Sequence, residues 1–141
     1  MSISNIFGIA GSALNAQQVR MNVTASNLAN AGTTASSEGE AFKAKRVVFQ
    51  ALLEKEQSSG GTPNAGGVKI DKIIDDTSPA SKIYEPSHPQ ADAKGYLYKA
   101  NVNEVTEMVE MMDAARSFQN NVEVVNTARD LMVRTIDTIK N

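Results

Sequence analysis

The sequence predicts a mainly α protein with a small β-containing insert, its N- and C-terminal helices pairing as an antiparallel, coiled-coil-like hairpin. Three observations carry this. An apolar repeat with alternating steps of three and four residues runs along each end of the chain. Glycine and proline do not recur after Gly95. Between the two ends lie short runs in which β-branched and aromatic residues mix with charged ones. The chain therefore divides into an N-terminal helix over 1–31, a Gly-rich insert with short strands over 32–100, and a long C-terminal helix over 101–141.

The C-terminal repeat is the stronger one. Met108, Met111, Ala115, Phe118, Val122, Val125, Arg129, Met132, Ile136 and Ile139 form a heptad seam, and nine of these ten positions are apolar. Asn101, followed by Glu104, marks the start, because an Asn side chain accepts from the free amides of a first turn. One helix over 104–140 would span roughly 55 Å at ~1.5 Å per residue. That is too long for the core of a small domain, so its apolar stripe needs a partner.

The N-terminal seam is Ile3, Phe7, Ala10, Leu14, Gln17, Met21, Thr24 and Leu28. Ser2 or Ser4 can cap its start, and Asn30-Ala31-Gly32 supplies a stop. Gly8 and Gly11 weaken the first turns by about 1 kcal/mol each relative to alanine. Gln17 and Thr24 interrupt the seam, so this helix is marginal in isolation.

In the middle, Thr33 to Glu40 reads as loop and Phe42 to Gln50 as a strand. Gln57 to Gly67 is a flexible loop by composition. Val68 to Asp75 is a second strand, Lys82 to Glu85 a third, and Gly95 to Tyr98 is extended. Pro86-Ser87-His88-Pro89 is a rigid turn.

Composition narrows the chemistry. The net charge of −2 points neither to nucleic acid nor to an anionic membrane. Residues 1–30 carry only Arg20, whereas 101–141 carry seven acids against four bases, so the ends are weakly complementary. The absence of cysteine excludes disulfides, thiolate nucleophiles and Cys-ligated zinc. No apolar run approaches the length of a membrane span, and the N-terminus lacks the basic and apolar regions of a cleaved secretory signal. His88, the only histidine, would need Asp75, Asp76 or Asp92 beside it to form a metal or acid–base site. A solvated turn histidine is the simpler reading. The sequence thus predicts no enzyme, no catalytic residue, no metal and no cofactor.

The stretch Ser12-Ala-Leu-Asn-Ala-Gln through Asn27-Leu-Ala-Asn30 resembles the N-terminal signature of the flagellar rod, hook and axial proteins. Asn101-Val-Asn103 with Glu107-Met-Val-Glu-Met-Met-Asp-Ala-Ala-Arg-Ser-Phe-Gln-Asn120 resembles the terminal helix of the same family. Val47-Val-Phe-Gln50, Tyr84-x-Pro-x-His-Pro89 and Gly95-Tyr96 extend the likeness across the insert. Lys99-Ala100 departs from the usual proline before Asn-Val-Asn, Phe118 from a tyrosine and Asn120 from an alanine.

The resemblance implies a structural subunit of the proximal rod of the flagellar basal body. Such a subunit is part of the drive shaft from motor to hook, is needed for motility and assembles by helix–helix packing. It implies passage through the type III export apparatus to the periplasmic rod without a cleaved signal. It implies self-association, and partners among rod proteins of the FlgB, FlgF and FlgG types and an adaptor of the FliE type. Nucleic acid, a small-molecule substrate and membrane insertion are not expected. The candidate assembly interface is Ile3, Phe7, Leu14, Met21 and Leu28 on the first helix. On the second it is Met108, Met111, Ala115, Phe118, Val122, Val125, Met132, Ile136 and Ile139. The alternative is a soluble coiled-coil adaptor or export chaperone.

Overall fold

The computed structural model describes residues 3–53 and 65–140. In chain order the elements are α1 (Ile3–Asn30), β1 (Thr34–Ala35), β2 (Lys45–Leu53), β3 (Ala65–Asp75), β4 (Ser81–Tyr84), β5 (Tyr96–Lys99) and α2 (Glu104–Lys140). The two helices run antiparallel. Arg20 of α1 meets Glu110 of α2, and Ile6 of α1 lines one groove together with Val124, Ala128 and Leu131 of α2.

The expectation of a mainly α chain with a small insert and a coiled-coil pair is corrected on two counts. First, the middle of the chain builds two separate antiparallel sheets, one of order β1-β5-β4 and one a β2-β3 hairpin. The hairpin lies on α1, so α1 is flanked by α2 and also by β3. Second, the helical pair is not a simple coiled coil, because its buried positions are small or polar. On α1 they include Ala10, Thr24, Asn27 and, just past its end, Ala31; on α2 they are Glu107, Ala114 and Ala128.

The strands differ from expectation mainly at their ends. β2 starts and finishes three residues later than predicted, and β3 starts at Ala65 rather than Val68. The register runs from Lys45↔Asp75 through Val47↔Ile73 to Leu53↔Ala65, with shifts at Val48/Phe49 and Ala51/Leu53. Most of the predicted loop over 57–67 lies outside the described residues, as does Ser2. Thr34–Ala35, read as loop, adds an edge to β5 through Thr34↔Lys99 and Ala35↔Tyr98. Two residues are too short to leave a periodic signal.

Glycine explains two close approaches. A Cβ on Gly67 would stand 3.2 Å from Ser12 Oγ. That hydroxyl accepts from Val68 N (3.1 Å) and donates to Ile9 O (2.7 Å), which ties β3 to α1. Gly95 adopts φ +81°, where a Cβ would stand 3.0 Å from both the Tyr84 ring and Pro86 Cβ. The turn before β5 depends on it: Asp92 Oδ1 accepts from Lys94 N and Tyr96 N, each at 2.8 Å, and Glu85 N donates to Gly95 O at 2.9 Å.

Both helix ends are set by side chains other than those predicted. α1 stops at Asn30, but Gly32 is not among the glycines at positive φ. Instead Thr33 donates to Asn30 O through its amide (3.0 Å) and its hydroxyl (2.7 Å). Asn103, not Asn101, caps α2, with Oδ1 accepting from Thr106 N at 3.1 Å.

Gly95→Ala is expected to lower stability by about 1–3 kcal/mol, since it combines positive φ with a crowded Cβ. Gly8→Ala should raise it by about 0.5–1 kcal/mol, because the added methyl meets nothing within 4 Å. Urea unfolding of the two variants beside the parent chain checks both signs.

Candidate functional site

The end of α1, the start of β2 and the first turns of α2 meet at a polar junction. Asn27 is fully buried on α1. Its Nδ2 donates to Lys45 O (2.9 Å) and to Glu107 Oε2 (2.9 Å), while its Oδ1 accepts from Lys45 N (2.8 Å). One amide side chain therefore completes both polar groups of Lys45 at the mouth of the hairpin. It also holds the carboxylate of α2.

Glu107 is fully buried as well, and Arg46 Nη1 stands 2.7 Å from its Oε1. That oxygen is held by charge rather than by an aligned N–H. Arg46 also approaches Asp76 Oδ2 at 3.8 Å, so its guanidinium bridges α2 and the chain leaving β3. Two further contacts brace the junction. Asn101 Oδ1 accepts from Ala44 N at 2.6 Å, and its Nδ2 donates to Ser78 O at 2.8 Å and Asp76 O at 3.3 Å. One turn away, Arg20 of α1 pairs with Glu110 of α2.

An open cleft of about 440 Å³ beside the junction is lined by Arg20, Val23, Thr24, Arg46, Val47, Phe49 and Glu110, among others. Its two guanidinium groups are already engaged by carboxylates, so it offers no unpaired guanidinium to an anionic ligand. His88 sits in its turn with Nδ1 accepting from Gln90 N at 3.1 Å. Among the described residues, Asp75, Asp76, Asp92 and His88 are not gathered into a group of three or more donors able to hold a metal.

The predicted interface residues divide by exposure. Phe7, Leu14, Met21, Leu28, Met111, Ala115, Phe118 and Val125 are half-buried. Met108, Val122, Met132, Ile136 and Ile139 are exposed, and the side chain of Ile3 lies outside the described residues. The structure buries none of the described ones fully.

The true seam shares one set of positions with the predicted one and exchanges the other. On α2, Met111, Phe118 and Val125 stay half-buried, but Glu107, Ala114 and Ala128 are buried in place of Met108, Ala115 and Arg129. On α1, Arg20 and Asn27 make the polar contacts to α2, while Met21 and Leu28 stay half-buried. Each exchange is one residue earlier in the chain. Sequence reasoning missed Asn27, Arg46, Asn101 and Glu107 as a cluster because apolar periodicity assigns polar residues to the outside. Three of the four nonetheless fall inside the motifs that carry the family resemblance.

A helical pair that leaves large apolar side chains uncovered, joined to a β unit by a polar junction, defines a structural subunit built to associate. The family model described as flagella basal body rod protein matches residues 7–35, and that of the flagellar basal body rod FlgEFG protein C-terminal matches residues 93–138. The flagellar basal-body rod protein FlgC of Yersinia enterocolitica is 47% identical over 136 residues, covering 96% of this chain and 97% of the relative. That of Escherichia coli O157:H7 is 48% identical over 138 residues with the same coverage. That of Bacillus subtilis is 35% identical over 149 residues, covering 97% and 98%. The chain belongs to the FlgC family of flagellar basal-body rod proteins, structural subunits of the bacterial flagellar basal body. Asn27 lies within the first matched segment, and Asn101, Glu107 and Glu110 within the second.

The junction is asymmetric in cost. Arg46→Met leaves the buried Glu107 with only Asn27 and is expected to cost about 3–5 kcal/mol. Glu107→Leu leaves a half-exposed Arg46 that still faces Asp76, and should cost less than about 1.5 kcal/mol. The two changes together should recover most of the loss in a double-mutant cycle followed by urea unfolding.

Acid weakens the junction and the turn before β5. Ser78, through its hydroxyl (2.6 Å) and amide (2.9 Å), holds Asp76 below the ordinary carboxylate range, and Arg46 adds to this against some desolvation. Amides of Tyr96 and Lys94 lower Asp92 likewise, again against desolvation. A carboxyl lowered in the folded state contributes stability above its unfolded pKa, and that stability is lost as pH falls through the folded one. Stability should therefore decline below about pH 4, and Asp76→Asn with Asp92→Asn should flatten the slope of the urea midpoint against pH.

Proposed function

We propose that this subunit belongs to the proximal part of the rod, within the drive shaft that carries torque from the motor to the hook, and that its terminal helices make the inter-subunit contacts. The observation that carries this is the apolar surface of α2. Val105, Met108, Met112, Leu131, Val133, Ile136 and Ile139 are all exposed, the last at 79%. Every described side chain from Arg129 to Ile139 is exposed. Large apolar side chains exposed on more than one side of α2, in a protein of the rod family, fit neighbours of the same build.

In this reading residues 1–31 and 101–141 form the axial core, and residues 32–100 stand outside it. The partners are further copies of this chain, rod proteins of the FlgB, FlgF and FlgG types and an adaptor of the FliE type. The subunit reaches the periplasmic rod through type III export without a cleaved signal. Among the described residues no helix is long and apolar enough to cross a membrane. The family relatives favour the rod over the soluble adaptor or chaperone.

Val133→Asp with Ile136→Asp places charge on exposed positions of this end of α2, off the line that runs from Ala128 to Met132. The variant is expected to keep its helical circular dichroism and melting temperature but to be missing from purified basal bodies and to leave a complemented null strain non-motile. Normal incorporation of this variant would overturn the assignment of α2 to the inter-subunit contact.

A further inference from the structure

We propose that Glu107 and Glu110 are phase-setting residues: they hold the helical pair rotated away from its most apolar seam, and so keep a ridge of large side chains available outside. Each helix contains two overlapping heptad seams. The one in use on α2 contains Glu107, Ala114 and Ala128, all buried. The one left aside contains Met108 at 49% exposure and Val122 at 37%.

On α1 the corresponding choice is between Arg20 with Asn27, which touch α2, and Met21 with Leu28, which remain half-buried. In both helices the two seams differ by a rotation of roughly 50°, half the angle between successive residues at 3.5 per turn. Apolar burial alone favours the unused phase.

What opposes it is a set of contacts available in only one phase. Asn27 reaches Glu107 Oε2 at 2.9 Å, Arg46 reaches Glu107 Oε1 at 2.7 Å, and Arg20 pairs with Glu110. Rotating either helix would strand the buried carboxylate of Glu107. A polar residue at a seam position fixes register at a cost in stability, and here the register it fixes is the less apolar one. The link from the free ridge to assembly rests on the rod role proposed above. The phase itself does not.

The chain has no native cysteine, so single introduced thiols report each face. Met108→Cys and Ala114→Cys are introduced separately into the full chain and into a Glu107→Leu/Glu110→Leu background. Glu107→Leu leaves Asn27 with both Lys45 bonds and Arg46 with Asp76, and unpairs one N–H of Asn27 rather than a buried charge. In the parent background the thiol introduced at position 108 should react with a maleimide at least tenfold faster than the one at position 114. In the leucine background this order should reverse, with helical circular dichroism retained.

An unchanged order would show that the carboxylates do not set the phase. Fast labelling at both positions with loss of helicity would show that no second phase is stable. Either result overturns the proposal. A Glu107→Gln background, which keeps an acceptor for Asn27, should retain the parent order; reversal there would overturn it too. Incorporation into basal bodies is read separately in the leucine variant without cysteine. Reversed labelling with normal incorporation would uphold the phase-setting role and count against the assembly reading alone.

Discussion

The amide of Asn27 is the contact on which the rest of this structure depends. It completes the N–H and C=O of Lys45 and also donates to Glu107, so a single side chain joins the first helix, the hairpin and the second helix. Its burial makes it directive. A fully buried amide must find its partners, and all of its partners here lie on other elements. Burying Glu107 raises the requirement, because an unpaired carboxylate is far more costly than an unpaired amide. Arg46 meets it from β2 and carries the link on to Asp76. Asn101 fastens the same turn from the other side.

The junction locks the middle of the molecule. The hairpin is held to α1 by Ser12 toward one end of that helix and by Asn27 toward the other. α1 is uncharged apart from Arg20 and carries Gly8 and Gly11, so its helical order rests on packing from two sides rather than on propensity. α2 has the opposite character. It is long, free of glycine and proline, and among the described residues it is covered where α1 and the junction lie along it. Such a division leaves one part of a structural subunit locked internally and another open to neighbours.

Membership in the FlgC family fits this division of labour. The two matched segments cover most of the two helices together with β1 and β5, and three of the four side chains that build the junction lie inside them. The insert contributes Arg46, Ala44 and Asp76 from outside those segments. In this chain the matched terminal segments therefore place the asparagines and the glutamate that lock the helices to the β unit.

The sequence by itself determined the two helices, their antiparallel course, the main strands and the family. These are local or strongly periodic signals: alternating steps of three and four, the lack of glycine and proline after Gly95, and turn residues. It did not determine which face of each helix turns inward. Met108 and Val122 look like core by hydrophobicity, and Asn27 and Glu107 look like surface. The tertiary structure reversed both assignments, because a polar residue can be buried only when its partners arrive from elsewhere in the chain. Lys45 and Arg46 do arrive, from a strand whose position against α1 no periodicity encodes. The short β1 strand and the role of Asn101 escaped for the same reason, since each is defined by a pairing between residues far apart along the chain.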